Sequence, residues 1–157
     1  MPIILDGSDA IGDLGDALAA KAPSASPTFT GAVAIPDVRL SAWISYTPTI
    51  TAASGSFTTV SATGKYCQIG KACIVAVKID ITTNGTAAVG VRFTMPDDAP
   101  VGTLTYSGTG RENNVTGSMC QIVTGIGSTF ATVFTYANAY PGGDGHSLLC
   151  TLTYELA

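Results

Sequence analysis

The strongest pattern in this sequence is an alternation of apolar and polar residues that begins near residue 43. In the segment KACIVAVKIDI the odd-numbered positions after the first are apolar, whereas Lys78 and Asp80 lie at even-numbered positions, as in a strand with one buried face. The pair Asn84-Gly85 follows and favours a tight turn between two strands. Because a second alternating run, AVGVRFTMP, comes next, residues 71 to 96 are predicted to form a β-hairpin.

Similar short runs recur as far as the C-terminal end. They are SFTTVSA, KYCQI, VGTLTYSG, GSMCQIV, STFATVFTY and SLLCTLTYEL. Roughly eight or nine strands and no second helical pattern favour a mainly β fold. Residues 41 to 157 are therefore predicted to form an antiparallel β-sandwich of the jelly-roll type.

A short amphipathic helix is predicted near the N-terminal end. Ser8 can cap it, and Lys21 in its last turn complements the helix dipole. Ile11, Leu14 and Leu18 fall on one face. Because its glycines weaken it, the helix needs a partner, which is either its own β-domain or a parallel bundle of identical helices.

A proline-containing spacer, KAPSASPTFTG, follows this helix. Pro23 and Pro27 lack amide donors and favour extended backbone. Residues 1 to 22 are thus predicted to be a separate N-terminal segment with the short helix. Residues 23 to 40 are predicted to form an extended neck rich in Pro, Ala, Ser and Thr that leads to the β-domain.

Composition points to assembly. Charged residues make up 11% of the chain, against about a quarter in typical globular domains, so other subunits are expected to cover much of the surface. The net charge of −4 and the scattered basic residues argue against nucleic acid as a partner. No apolar run reaches the roughly 18 residues that cross a bilayer, and no signal peptide is recognisable, so synthesis in the cytoplasm without membrane insertion is predicted.

The four cysteines are predicted to be buried free thiols, because nothing marks the chain as secreted. Cys67 and Cys73 flank the turn in CQIGKAC and form the one pair that could be bridged. No CxxC spacing or nearby histidine supplies a metal site, so no metal or other cofactor is predicted.

Reactive groups do not converge in the sequence. His146 is the single histidine and lies in a glycine-rich loop, and Asp97 and Asp98 fall in the proline-bounded turn MPDDAP. Without a nucleophile, base and orienting group in one motif, the chain is predicted not to be an enzyme.

Two loops combine side chains that suit sugar hydroxyls. The segments SGTGRENNVTG and YANAYPGGDGHS join planar polar groups with aromatic faces, although both can equally be ordinary solvated turns. The residues predicted to bind a receptor are Arg111, Glu112, Asn113, Asn114, Tyr136, Asn138, Tyr140, Asp144 and His146.

Several of these segments resemble bacteriophage fibre proteins. MPIILDGSDAIG resembles the opening of phage fibre and virion proteins, and KAPSASPTFTG resembles the APxASPxFTG spacers of tail fibres. The region from residue 43 to residue 96 is similar to a β-module near fibre ends. The matching residues are Trp43, Tyr46, Thr47, Pro48, Tyr66, Ile69, Gly70, Lys71, Phe93, Thr94 and Pro96.

The resemblance implies a homotrimeric virion appendage made in the host cytoplasm. Its N-terminal segment would attach to another virion protein, while the β-domain would face outward. The 3-4 spacing of Ile11, Leu14 and Leu18 suits trimerisation through a bundle of identical helices, and the two polar loops suit contact with a host-surface carbohydrate. Because tail fibres are usually much longer, a capsid-decorating or fibre-bridging protein without a ligand of its own is the alternative.

Overall fold

A computed structural model describes residues 42 to 157, which form nine β-strands and one short 3₁₀ turn, Pro96–Asp98. The predicted helix, the neck and the residues Ile11, Leu14 and Leu18 lie outside this range. Within it, no helix is long and apolar enough to cross a bilayer. The strands are β1 Ile44–Tyr46, β2 Ile50–Ser54, β3 Thr59–Ile69, β4 Ala72–Thr83, β5 Ala88–Thr94, β6 Tyr106–Glu112, β7 Met119–Thr124, β8 Phe130–Thr135 and β9 His146–Glu155.

All nine strands belong to one antiparallel sheet in the order β1-β3-β4-β9-β6-β7-β8-β5-β2. The two edge strands, β1 and β2, follow each other along the chain with only residues 47 to 49 between them. In a flat sheet these edges would lie about 38 Å apart, whereas so short a link spans at most about 14 Å. The sheet must therefore curl until its edges approach each other. The antiparallel pairing of all nine strands confirms the prediction of a mainly β, antiparallel fold.

The inner face of the curled sheet forms the core. Alternate residues of β4 and β9 point inward, as the sequence pattern predicts, and Ile79 and Tyr154 have no exposed surface. The other strands contribute further inward residues, including Phe93 of β5 and Ile122 of β7. The outward residues of the same strands form the outer face, which is the surface that carries the exposed polar positions.

The predicted hairpin over residues 71 to 96 is wrong in its pairing. Both strands exist, but β4 lies between β3 and β9, while β5 lies between β8 and β2. The connection between them is tied elsewhere, because Thr86 N donates to Ser56 O at 3.0 Å. The alternating pattern is equally compatible with two strands that pair directly and with two strands in distant parts of the same sheet that face one core. This chain has the second arrangement.

The prediction of free thiols is confirmed, and that of burial is confirmed for all except Cys67, which is only partly buried. Cys67, Cys73, Cys120 and Cys150 are all free. In the β3–β4 hairpin Cys67 lies opposite Ile74, and Cys73 lies opposite Gln68. Since residues that face each other across two strands share a side of the sheet, Cys67 and Cys73 point to opposite sides and cannot bond.

The strand directions define two ends of the sheet. Ile44 lies opposite Tyr66, so the described chain enters beside the β3–β4 turn at Gly70. The opposite end, here called the far end, carries four loops. These are residues 55 to 58, 84 to 87, 113 to 118 and 136 to 145.

Candidate binding site

The two loops that the sequence suggests for recognition meet at the far end. Asn114 Nδ2 donates a hydrogen bond to Gly145 O at 2.7 Å, and Asn113 N donates to Ser147 O at 2.8 Å. The β6–β7 and β8–β9 loops are thus neighbours, although they are separated in sequence. Asn113 and Asn114 remain exposed on this surface.

Glu112 is not a surface residue, so its predicted role as a sugar contact is incorrect. The residue is 1% exposed, and the β6–β7 loop wraps around its carboxylate. Burial alone would raise the pKa of Glu112, but backbone hydrogen bonds from Thr116, Asn114 and other amides hold it well below its usual value. The amides that donate to the carboxylate are those of Asn114, Val115, Thr116, Gly117 and Ser147.

Three predicted contacts in or directly after the β8–β9 loop already have partners within the protein. Tyr140 Oη donates to Asn84 Oδ1, and burial raises the pKa of Tyr140 to about 12. Asp144 Oδ1 accepts a hydrogen bond from Asn84 N at 2.6 Å. His146 Nδ1 lies 3.1 Å from Pro141 O. Tyr140 and Asp144 thus hold the loop against the β4–β5 connection, whereas His146 contacts its own loop.

Arg111 and Tyr136 belong to a different surface, a row of side chains across the outer face. Arg111 lies opposite Met119 of β7 on one side and Leu149 of β9 on the other. Tyr136, one residue beyond β8, donates its N–H to Met119 O at 3.2 Å and is 76% exposed. The complete row, here called the outer row, is Thr63, Lys78, Leu149, Arg111, Met119 and Tyr136.

A second row runs beside the first, two residues further along each strand. It consists of Ser45, Lys65, Ala76, Thr151, Thr109 and Gln121. Gln121 Nε2 donates to Asn138 Oδ1, which attaches the predicted residue Asn138 to this row. Between β1 and β7 the two rows line an open groove of about 900 Å³, here called the outer groove.

The outer groove is positively charged. Its lining contains Lys65, Lys78 and Arg111 but no acidic side chain. Lys78 Nζ pairs with Asp80 at 2.9 Å, and Ser147 Oγ donates to the same carboxylate at 2.7 Å. Among residues 42 to 157 neither Lys65 nor Arg111 has an ion-pair partner. The groove therefore offers two uncompensated cations, several threonine hydroxyls and an apolar floor.

Sequence reasoning identified Arg111 and Tyr136 but missed their neighbours. Lys78, Leu149 and Met119 are outward residues of alternating strands, and nothing local distinguishes them from other outward residues. The order of the strands places them side by side, since they come from three separate parts of the chain.

Other candidate chemistry lies away from the groove. Asp97 accepts a hydrogen bond from Tyr66 Oη at 2.8 Å, and both Asp97 and Asp98 have positive φ in the 3₁₀ turn that follows β5. Within the part of the chain that the structure describes, no group of three His, Cys, Asp or Glu residues is placed to hold a metal. Comparison of the chain with protein-family models, characterised proteins and solved structures gives no match.

Proposed function

We propose that this chain is a non-enzymatic structural protein of a phage virion. It forms a short trimeric fibre whose outer, jelly-roll-like β-domain contacts a host-surface glycan, while residues 1 to 22 attach to another virion protein. The resemblance of the first 96 residues to phage fibres supports the location in the virion. The outer groove supports the contact with a glycan.

The observation that carries the binding role is the outer row. In this row Met119 lies between Arg111, which carries a guanidinium group, and Tyr136, which carries an exposed ring. The row lies next to a groove with threonine hydroxyls. An aromatic face, planar donors and hydroxyls are the groups that sugar rings and sugar hydroxyls require. The groove lies on hydrogen-bonded strands, so the backbone positions that carry its side chains are fixed relative to one another.

Replacing Tyr136 by Ala is expected to weaken glycan binding at least tenfold, because the variant loses an exposed aromatic face while the core stays intact. The full chain would be applied to an array of bacterial surface glycans. Single sugar contacts are weak, so the signal depends on avidity between subunits. Ile126→Ala is the matched control, since Ile126 is also exposed, at 68%, but lies in the β7–β8 turn at the other end of the sheet.

If the unmodified chain binds a glycan and Tyr136→Ala binds it equally well, the outer row is not the glycan contact. If the unmodified chain binds none of the glycans, the proposed receptor role fails.

The full chain is expected to be a trimer in solution. The small fraction of charged residues and the weak helix predicted from the N-terminal sequence both favour burial between subunits. Light scattering coupled to gel filtration should give three times the mass of one chain. A monomer at micromolar concentration would contradict the trimer.

A second candidate is a capsid-decorating or fibre-bridging protein without a ligand of its own. It is favoured by the apolar side chains exposed on the outer face, where Met119 is 52% and Leu149 40% exposed. Such side chains suit contact with another protein. Immunogold labelling of intact virions separates the two, because a decorating protein would label the capsid and a fibre would label a projecting appendage.

A further inference from the structure

The charge of the outer groove differs in sign from the charge of the chain. The protein carries a net charge of −4 and has seven basic residues. Three of them, Lys65, Lys78 and Arg111, line the groove, and no acidic side chain lies among the lining residues. Within an acidic chain, a groove that concentrates positive charge favours anionic ligands over neutral ones.

The cations are spread along the groove. Lys78 and Arg111 occupy the same row with Leu149 between them, so their backbones lie about 10 Å apart across two strand spacings. Lys65 belongs to the second row, roughly 8 Å from Lys78 and roughly 16 Å from Arg111 between backbones. One small anion cannot reach all three positions, whereas a chain with repeated negative charges can.

The spaces between the cations are suited to sugar rings. Thr63, Thr109 and Thr151 lie in the two rows, and each hydroxyl can both donate and accept a hydrogen bond. Ala76 and Leu149 provide apolar contact for the faces of the rings.

We infer that the outer groove binds an anionic saccharide whose negatively charged groups contact Lys65 and Arg111. The inference rests on the proposed function and specifies the class of glycan. Arg111 is the principal contact, because its guanidinium can bind a carboxylate or a phosphate through two parallel hydrogen bonds, and because it has no ion-pair partner among the described residues. Lys78 is held by Asp80 and contributes less.

The test measures binding of the full chain to matched charged and neutral saccharides. Oligogalacturonate and its methyl ester share the same sugar chain, but the carboxylates of the first are neutral methyl esters in the second. A phosphorylated mannan oligomer and its dephosphorylated form differ only in phosphate. We expect at least tenfold tighter binding to one charged member than to its neutral counterpart. The pair that shows the difference identifies the anionic group as carboxylate or phosphate.

Two variants locate the contact. The double substitution Lys65→Ala with Arg111→Ala should reduce binding of the charged saccharide at least tenfold, to the level of its neutral form. Lys71→Ala should leave binding unchanged, since it removes one positive charge, as each of the two substitutions does, but in the β3–β4 turn, outside the groove lining. All three positions are exposed, so the melting temperature of each variant is expected to match that of the unmodified chain.

Each other outcome overturns the inference in a recognisable way. Equal binding of charged and neutral saccharides would contradict the anionic ligand and leave the glycan-binding function standing. Absence of binding to every saccharide, charged or neutral, would overturn both. If the double variant instead changes the mass of the assembly in light scattering, the groove is a contact between subunits.

Discussion

Replacing Glu112 by Gln is expected to lower the free energy of unfolding by about 3 to 5 kcal/mol. The substitution keeps the shape of the side chain but exchanges a carboxylate oxygen for an NH₂ group. Five backbone amides donate to the carboxylate, so some of these donors would lose their acceptor and face another donor inside the protein. Urea denaturation monitored by tryptophan fluorescence would measure the loss.

Glu155→Gln is the matched control. Glu155 is partly exposed, and its carboxylate accepts one side-chain hydrogen bond, from Tyr106 Oη at 3.1 Å. Its substitution should therefore change the free energy of unfolding by less than about 1.5 kcal/mol. Equal effects of the two substitutions would contradict the structural role of Glu112.

The Glu112 contribution should also depend on pH. The pKa of this carboxyl in the folded protein lies below its value of about 4.3 in an unfolded chain. A lowered pKa stabilises the fold at every pH above the unfolded value, and the stabilisation disappears as the pH falls through the folded value. The difference in stability between the unmodified chain and Glu112→Gln should therefore be constant near neutral pH and shrink below about pH 4.

The second large effect is expected from Ile79→Ala, which should lower the free energy of unfolding by about 2 to 5 kcal/mol. Ile79 has no exposed surface and lies in β4 between the partner residues Ala62 of β3 and Leu148 of β9. Truncation removes buried methyl groups and leaves a cavity that neighbouring strands cannot easily fill. The melting temperature should fall by on the order of 10 °C.

Ile69→Ala makes the same chemical change at the end of β3, where the side chain is 48% exposed. Its effect should stay within about 1 kcal/mol, because little apolar surface is lost from the core. A loss of stability at Ile69 comparable to that at Ile79 would mean that another surface covers Ile69 in the folded assembly.

The burial of Glu112 shows why the candidate site was only partly predictable. In the sequence, Glu112 belongs to the polar run RENN and is indistinguishable from its exposed neighbours. In the structure it is the last inward residue of β6, and the following loop turns back so that its amides meet the carboxylate. Whether a polar residue at the end of a strand faces solvent depends on the path of the backbone around it, which composition does not specify.

The sequence by itself determined the properties that repeat locally. Alternation with period two located most of the strands, although none of the predicted runs covers β1 or β2. It also divided their side chains between core and surface and identified inward residues such as Val77, Ile79 and Leu152. Glycine- and asparagine-rich segments marked strand connections, including the β6–β7 and β8–β9 loops at the far end. These properties follow from the geometry of a single strand, so they can be derived without knowing what lies beside it.

Only the tertiary structure decided which strands became neighbours. The separation of β4 from β5, the meeting of Arg111 with Leu149 and Met119, and the collection of three cations in one groove all depend on the strand order. An alternating strand carries nearly the same local pattern whichever partner it has. Each strand's partner is determined when the whole sheet closes around one core. Because this closure depends on contacts between residues distant in sequence, no single segment of the sequence predicts it.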